Sequence, residues 1–163
     1  MSDMKKKIRI GISACLMGFQ YRYDGKSKKD SRIIELLRDH AELIPFCPEV
    51  ECGLEIPRPP MRLETGPRGV RLIVIETGED VTDQMRDWAE NRLLQMDELD
   101  LAAFVFKSGS PSCGLKCQVF NRQGKVLPLD GQGYFSKLVR KKYPEMLVCQ
   151  ETDFPEIAEK LRF

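Results

Sequence analysis

The chain has 163 residues, and 26 lysines and arginines stand against 25 aspartates and glutamates, so its formal net charge is +1. This balance gives no bulk electrostatic reason to bind nucleic acid or an anionic membrane, and a small-molecule partner fits it better. A hydrophobic fraction of 42% with 31% charged residues excludes a disordered or collagen-like chain. No apolar run reaches the length of a membrane span. We expect an N-terminal tail at residues 1–7 and a single domain over residues 8–163.

The N-terminus imitates a secretion signal without matching one. Lysines at positions 5 to 7 precede an apolar run that ends at Cys15, but Arg9 interrupts this run, which is also too short for a signal sequence. We therefore expect a cytoplasmic protein. In that compartment, six cysteines are better suited to metal binding or catalysis than to structural disulfides.

Apolar periodicity and turn residues predict an alternation of strands and helices. The first half of the chain is predicted to contain a strand at 8–13, a long polar loop at 16–30, a helix at 31–40 capped by Asp30, a strand at 42–46 and an irregular proline-rich segment at 48–67. The second half is predicted to contain a strand at 70–75, a helix capped by Asp80 or Thr82, a strand at 102–106, a hairpin around Gly124, a helix from Tyr134, a strand at 146–149 and a final helix opened by Asp153 and Pro155. This order indicates an α/β fold, with a mainly parallel, Rossmann-like sheet and helices on both faces.

Three cysteines follow predicted strands. Cys15 ends the first strand, Cys47 ends the second, and Cys113 lies in the turn after the strand at 102–106. In open α/β sheets ligands bind at the carboxyl ends of strands, and neighbouring strands are about 4.8 Å apart, so the three thiols could reach one cluster or metal. This requires the first strand to lie between the other two. The simpler alternative is that each cysteine is a small buried hydrophobic residue.

A structural zinc site is a competing interpretation. Cys52 follows Cys47 after four residues and Cys117 follows Cys113 after three, which would provide four thiolates, although zinc knuckles usually have two-residue spacings. The single histidine, His40, lies at a helix end, so a histidine-based zinc hydrolase or a Cys-His dyad is not easily built.

Polar residues near the cysteines are candidates for acid-base chemistry. Glu49 lies two residues after Cys47, where it could act as acid or base or remain a surface carboxylate. Ser110 and Ser112 precede Cys113 and could donate to a substrate or satisfy a turn. Further candidates for recognising a polar or anionic substrate are Arg22, Asp24, Arg58 and Arg62. These four could equally be solvated loop charges.

Several linked motifs carry a family resemblance. They are Ile12-Ser-Ala-Cys-Leu, Arg22-Tyr-Asp-Gly, Cys47-Pro-Glu-Val, Gly53-Leu with Pro57-Arg-Pro, Asp80-Val-Thr and Lys107-Ser-Gly-Ser-Pro-Ser-Cys-Gly. Together they resemble the thiouracil desulfidases, a family formerly described only as a domain of unknown function. The resemblance extends from about Ile8 to Glu151 and is to the single-domain short form, without the additional C-terminal domain of some relatives.

The resemblance implies a cofactor, a site and an activity. The implied cofactor is a 4Fe-4S cluster held by three cysteines, Cys15, Cys47 and Cys113. Three thiolates serve three irons, so the fourth iron is expected to be open to substrate. Glu49 and a serine of the Ser-Pro-Ser motif, Ser110 before Ser112, are implied in catalysis. The implied reaction is hydrolytic, non-redox removal of sulfur from a thiolated pyrimidine base or nucleotide, giving the oxo compound and hydrogen sulfide.

Two cysteines depart from the family pattern. Cys52 stands where glycine is expected, and Cys117 lies outside the shared motifs, so either could supply a fourth ligand and close the open iron. The alternative function is then a non-catalytic zinc- or sulfur-binding module that uses four cysteines.

Overall fold

The structure is a computed structural model that describes residues 6–162. Over this range the strands are β1 (Ile8–Ser13), β2 (Ala41–Phe46), β3 (Met61–Gly66), β4 (Gly69–Val74), β5 (Leu101–Phe106), β6 (Cys117–Phe120), β7 (Val126–Gly131) and β8 (Leu147–Gln150). The helices are α1 (Ser31–Leu37), α2 (Pro48–Glu51), α3 (Thr82–Leu99), α4 (Tyr134–Lys142) and α5 (Phe154–Lys160). Positions 1–5 of the predicted tail lie outside the described residues, and Lys6 and Lys7 are exposed.

One sheet places the candidate site. Its strand order is β2-β1-β5-β8, and every pair in it is parallel. The chain runs from β1 to β2 on one side and later to β5 and β8 on the other. β1 therefore lies between β2 and β5, as the shared-site hypothesis required. The change of direction creates a switch point between β1 and β5, and parallel sheets bind ligands at the carboxyl ends of strands there.

A second sheet has the order β4-β3-β6-β7, in which β3 pairs with β6 in parallel and the two outer pairs are antiparallel. The α/β class is confirmed, but the expectation of one sheet was wrong, since the strand predicted at 70–75 is β4 of the second sheet.

The prediction of an irregular segment at 48–67 was also wrong in part, because this segment contains α2 and β3. Its internal prolines end at Pro60, so Met61–Gly66 is free to pair with β4 across the turn at residues 67 and 68. The predicted hairpin around Gly124 is confirmed as β6 and β7.

The core has a helical layer on each face of the parallel sheet. In β5, Ala103 and Val105 face one way and pack in a cluster with residues of α1 and α5. Phe104 and Phe106 face the other way, where they pack with residues of α3 and α4, and their rings stack with centroids 4.1 Å apart. Each buried phenylalanine contributes about 1.5–3 kcal/mol of transfer free energy. The expectation of helices on both faces is confirmed.

Helix boundaries follow from capping residues and apolar spacing. Asp30 Oδ1 accepts the backbone N–H groups of Arg32 and Ile33 at 3.2 and 3.4 Å, so α1 begins where the sequence predicted, although it ends at Leu37 rather than residue 40. The N-cap of α3 is Val81, so the expectation of Asp80 or Thr82 at that position was wrong, although Asp80 Oδ1 accepts the N–H of Thr82, the first helical residue, at 2.9 Å. Trp88 of α3 packs against the cores of both sheets and so joins them. Within residues 6–162, no helix is long and apolar enough to cross a membrane.

Candidate active site

A cavity of about 280 Å³ lies at the carboxyl ends of β1, β2 and β5. Its walls come from the residues that follow these three strands, from residues 21–23 and from Arg58, Pro60 and Met61. Three thiols line it together, and we refer to them as the cavity cysteines: Cys15, Cys47 and Cys113. The structure thus brings together three residues that are distant in sequence.

Each cavity cysteine is placed by a different local structure. Cys15 lies in a single 3-10 turn directly after β1. Cys47 is the residue before the short helix α2, whose first position is Pro48. Cys113 lies in the turn after β5, and the hydroxyl of Ser13 accepts the N–H of Lys107 at 2.9 Å, which ties the end of β1 to the end of β5.

The turn that carries Cys113 is held by the first residues of α4. The first N–H groups of a helix have no partner within the helix, and here they donate to carbonyls of the turn. The backbone bonds are Gly133 N–H to Gly114 O at 2.7 Å, Tyr134 N–H to Pro111 O at 2.9 Å and Phe135 N–H to Ser112 O at 2.9 Å. The hydroxyl of Ser136 adds a bond to Gly114 O at 3.0 Å. The position of Cys113 therefore depends on α4.

Burial makes the three thiols weak acids. It raises the pKa of Cys47 to about 11. It also raises the pKa of Cys113, which is 7% exposed, and the neighbouring thiols of Cys47 and Cys15 add to that rise. Burial raises the pKa of Cys15 as well, against the opposing charges of Lys107 and Arg22. The thiols are protonated at neutral pH, so binding of a metal or cluster must displace their protons.

A hydrogen-bonded chain joins Glu49 to the turn of Cys113. Ser112 Oγ donates to Glu49 Oε2 at 2.7 Å, and the hydroxyl oxygens of Ser112 and Ser110 are 3.0 Å apart. Ser110 Oγ also accepts the N–H groups of Ser112 and Cys113 at 3.2 and 3.1 Å. Ser112 is only 1% exposed, whereas Ser110 is partly exposed. The chain can carry a proton between the cavity and a carboxylate.

The guanidinium of Arg58 is hydrogen-bonded to Glu49 and to two backbone carbonyls, so it is not free to bind a ligand. Its Nε donates to Glu49 Oε1 at 3.0 Å, and its two terminal nitrogens donate to the carbonyls of Tyr21 at 2.8 Å and Glu55 at 3.0 Å. Its side chain is 6% exposed. Although Arg58 lines the cavity, its contacts orient Glu49 and join segment 48–67 to the loop after β1.

Two other predicted substrate residues, Arg22 and Asp24, differ in position. Arg22 lines the cavity, and its guanidinium is 3.7 Å from Asp24 and 5.6 Å from the ring centre of Tyr23. Asp24 lies outside the cavity lining and accepts the N–H of Lys26 at 3.0 Å. This bond lowers the pKa of Asp24 and shapes the turn that presents Arg22.

Sequence reasoning missed a polar cluster at the end of β8. Lys107 Nζ donates to Glu151 Oε1 at 2.9 Å and to Ser108 O at 2.8 Å, and Ser108 N–H donates to Glu151 Oε2 at 2.8 Å. Burial opposes ionisation of Glu151, but the bonds from Ser108 and Lys107 outweigh it and lower its pKa. The available signal was position, because Glu151 and Lys107 each follow a parallel strand and must lie at the same edge of the sheet.

The remaining zinc candidates lie outside the cavity. Cys52 Sγ donates to Glu49 O at 3.3 Å, and Cys117 is the first residue of β6. Within the part of the chain that the structure describes, no group of three or more histidines, cysteines, aspartates or glutamates is arranged to hold a metal ion. One tetrahedral zinc would bring its sulfurs to within roughly 3.8 Å of each other, since each Zn–S bond is about 2.3 Å. A polynuclear cluster binds each thiolate through a different iron. A cavity lined by three thiols and no histidine therefore suits such a cluster better than it suits a single zinc ion.

Comparison with known proteins agrees with these observations. The family model described as 2-thiouracil desulfurase matches residues 10–151. The chain belongs to this family. Over 137 residues it is 33% identical to the uncharacterized protein YbbK of Bacillus subtilis (strain 168). The aligned region covers 81% of this chain and 89% of YbbK.

A solved structure extends the similarity to the whole fold. The 4Fe-4S-dependent thiouracil desulfidase TudS superposes with a TM-score of 0.75 and 34% sequence identity, covering 97% of this chain and 99% of TudS. The resemblance that the motifs carried is therefore confirmed at the level of the family.

Proposed function

We propose that this protein is an iron-sulfur-dependent desulfidase that hydrolyses a thiolated pyrimidine to the oxo compound and hydrogen sulfide. The observation that carries the proposal is one cavity in which three thiols lie beside the Glu49–Ser112–Ser110 chain. Membership of the 2-thiouracil desulfurase family and the similarity to TudS support it.

The cavity cysteines would hold a 4Fe-4S cluster and leave one iron without a protein ligand, because three thiolates serve three irons. Neither Cys52 nor Cys117 lines the cavity, which argues against a fourth protein ligand from either. When bound, the cluster supplies a Lewis acid that withdraws electrons from the thiocarbonyl group of the substrate.

Glu49 is the proposed general base. One water adds its oxygen to the thiocarbonyl carbon and the carbon–sulfur bond breaks, so thiouracil and water give uracil and hydrogen sulfide without an oxidant or a reductant. The carboxylate of Glu49 takes a proton from the attacking water and returns one to the ring or the departing sulfur. Arg58 holds one oxygen of this carboxylate and Ser112 donates to the other, so its orientation is fixed.

Ser110 is the serine placed to meet the substrate. Its oxygen already accepts two backbone N–H groups, and its hydroxyl hydrogen is available either to Ser112 or to a ligand in the cavity. Ser112 is buried and links Ser110 to Glu49. We therefore assign substrate orientation or proton relay to Ser110 and the link to Ser112.

Substrate recognition is assigned to the loop after β1. Arg22 keeps most of its donors unpaired among the described residues, and its neighbours Tyr21 and Tyr23 also line the cavity. The cavity of about 280 Å³ is close to the lower limit of roughly 300 Å³ for small-molecule pockets. We place a pyrimidine base in this cavity beside the proposed cluster, with the sugar and phosphate of any nucleotide near Arg22.

Three further expectations stand as proposals. We place the protein in the cytoplasm, which is supported by six free cysteines in the structure. We treat residues 8–163 as one domain, and we expect no stable nucleic-acid binding at a net charge of +1.

The test is anaerobic purification followed by metal analysis and turnover of 2-thiouracil and 4-thiouracil. The expected protein contains iron and acid-labile sulfide and releases hydrogen sulfide. Glu49→Gln should retain the cluster and lower turnover by about 10² to 10⁴, the usual contribution of a general base. The matched control is Glu35→Gln, an exposed glutamate of α1, which should behave as the unaltered protein. A colourless anaerobic protein holding one zinc would contradict the proposed function, and full activity of Glu49→Gln would contradict the role of Glu49.

A further inference from the structure

A pair of side chains outside the cavity supports the backbone of Cys47. Glu51 Oε2 accepts the N–H of Cys47 at 2.6 Å, and Glu51 Oε1 is 3.2 Å from Nε of Arg92 in α3. The guanidinium of Arg92 also lies 4.2 Å from the ring centre of Phe46, the residue before Cys47. Arg92 thus contacts both the residue that precedes Cys47 and the carboxylate that accepts the N–H of Cys47.

The helix that follows Cys47 cannot fix its own position. α2 has four residues, and a single turn is too short to be stable without tertiary contacts. α3 supplies such contacts at the carboxyl end of α2, because Gln84 Nε2 donates to Cys52 O at 2.9 Å and Arg92 contacts Glu51, the last residue of the helix. Glu51, the last residue of α2, reaches back over the helix to the N–H of Cys47, the residue before it.

The contact between Arg92 and Glu51 is largely shielded from water. Their side chains are 19% and 31% exposed. Among the described residues, Nε of Arg92 is buried without a hydrogen-bond partner, so the nearby carboxylate of Glu51 is its compensating charge. Loss of either member leaves a partly buried charge without its partner, which disturbs the local structure more than loss of an exposed pair.

We propose that Arg92 and Glu51 are positioning residues for Cys47, which direct its thiol into the cavity and thereby control how firmly the cavity cysteines retain a cluster. The proposal rests on the proposed function in taking Cys47 as a ligand. Neither residue lines the cavity, so neither can act as a ligand or touch substrate there. Partners that orient metal ligands typically account for 10- to 100-fold in metal affinity.

The test uses Arg92→Gln, Glu51→Ala and the conservative Glu51→Gln, whose amide oxygen can still accept the N–H of Cys47. The matched control is Arg86→Gln, because Arg86 lies on the same helix but is 45% exposed and, among residues 6–162, forms ion pairs with the exposed Asp83 and Asp87. The first readout needs no cluster. Maleimide labelling of the cluster-free protein, resolved by peptide mass spectrometry, gives the rate at Cys47 relative to Cys15.

The second readout is the rate at which the anaerobically loaded protein loses its visible absorption to an iron chelator. Arg92→Gln and Glu51→Ala should raise the Cys47 to Cys15 labelling ratio and accelerate cluster loss by about 10- to 100-fold. Glu51→Gln keeps an acceptor for the N–H of Cys47 but loses the charge that compensates Arg92, so it should fall between Glu51→Ala and the unaltered protein. Arg86→Gln should match the unaltered protein. Should Glu51→Ala fail to fold, Arg92→Gln decides by the same measurements.

Two results would overturn the proposal. One is an unchanged labelling ratio with unchanged cluster loss in Arg92→Gln. The other is faster labelling of both cysteines in parallel, because general destabilisation would expose Cys15 as much as Cys47. If the unaltered protein binds no cluster at all, the proposed function fails, but the labelling ratio still decides whether Arg92 and Glu51 position Cys47.

Discussion

Gly133 provides a direct test of how the fold positions Cys113. A Cβ atom built on Gly133 would lie 2.7 Å from the nitrogen of Gly114, 2.8 Å from the nitrogen of Cys113 and 2.8 Å from the carbonyl carbon of Ser112. All three are backbone atoms, so no side chain can rotate away. An ordinary carbon contact is roughly 3.5 Å. The turn that carries Cys113 must therefore move by about 0.7 Å to accept alanine.

The structure gives the expected size of the effect of Gly133→Ala. Gly133 has φ −51° and ψ 141°, which alanine adopts without strain, so the contact alone is responsible. Overpacking of this kind costs about 1–3 kcal/mol. A chain of this size loses about 2–4 °C of Tm per kcal/mol, so Tm should fall by about 2–12 °C. A shift of about 0.7 Å exceeds the 0.5 Å tolerance of a catalytic site, and turnover should fall by up to about 10².

The measurements are thermal melting by circular dichroism, iron and sulfide content, and thiouracil turnover. Gly66→Ala is the matched control, because Gly66 also lacks a positive φ and a Cβ there would meet nothing within 4 Å. The control should match the unaltered protein in all three assays. If Gly133→Ala has the same Tm, iron content and turnover as Gly66→Ala, the packing of α4 against the turn does not position Cys113, and the reasoning is refuted.

Three other predictions test the site and the fold. Serine at any one of the cavity cysteines should abolish iron and sulfide retention, because a hydroxyl is a poor ligand for this cluster, while serine at Cys52 or Cys117 should spare it; metal analysis decides. The pKa of Glu151 is lowered on folding, so its carboxylate stabilises the protein above its unfolded pKa of about 4.3, and this contribution is lost as pH falls through the folded value. In Glu151→Gln, Tm should not show this loss at acid pH. A pH profile of Tm identical to that of the unaltered protein would contradict the assignment. Asp30→Ala should lower the free energy of unfolding by about 0.5–2 kcal/mol in urea titrations, and no change would show that Asp30 is not an effective cap.

The elements that sequence predicted well depend on neighbouring residues. Asp30 caps α1 through N–H groups two and three residues away, and the hairpin around Gly124 closes over a few residues. The second sheet was missed because its formation depends on which strands pair, and β3 pairs with β6 more than fifty residues later in the chain. Apolar periodicity indicates a strand but not its partner.

The same distinction applies to the site. The cavity cysteines could be grouped in advance because each follows a strand, and the carboxyl ends of parallel strands share one edge. The role of Arg58 could not be predicted from its loop, since its bonds to Glu49 and to the carbonyl of Tyr21 depend on how two segments fold over each other. Sequence showed a charged residue near the site, whereas the contacts show that its donors are already used.

Each cavity cysteine is held by a different part of the molecule, and this has a consequence for folding. Cys113 depends on bonds from α4, Cys47 depends on α2 and its contacts with α3, and the end of β1 before Cys15 is tied to Lys107 at the end of β5. The three thiols converge only when all of these elements are in place. A cluster that requires the three together therefore binds the folded state and not the unfolded chain. Such binding would add its free energy to the stability of the whole arrangement, and displacement of any one supporting element would weaken the hold on the proposed cluster.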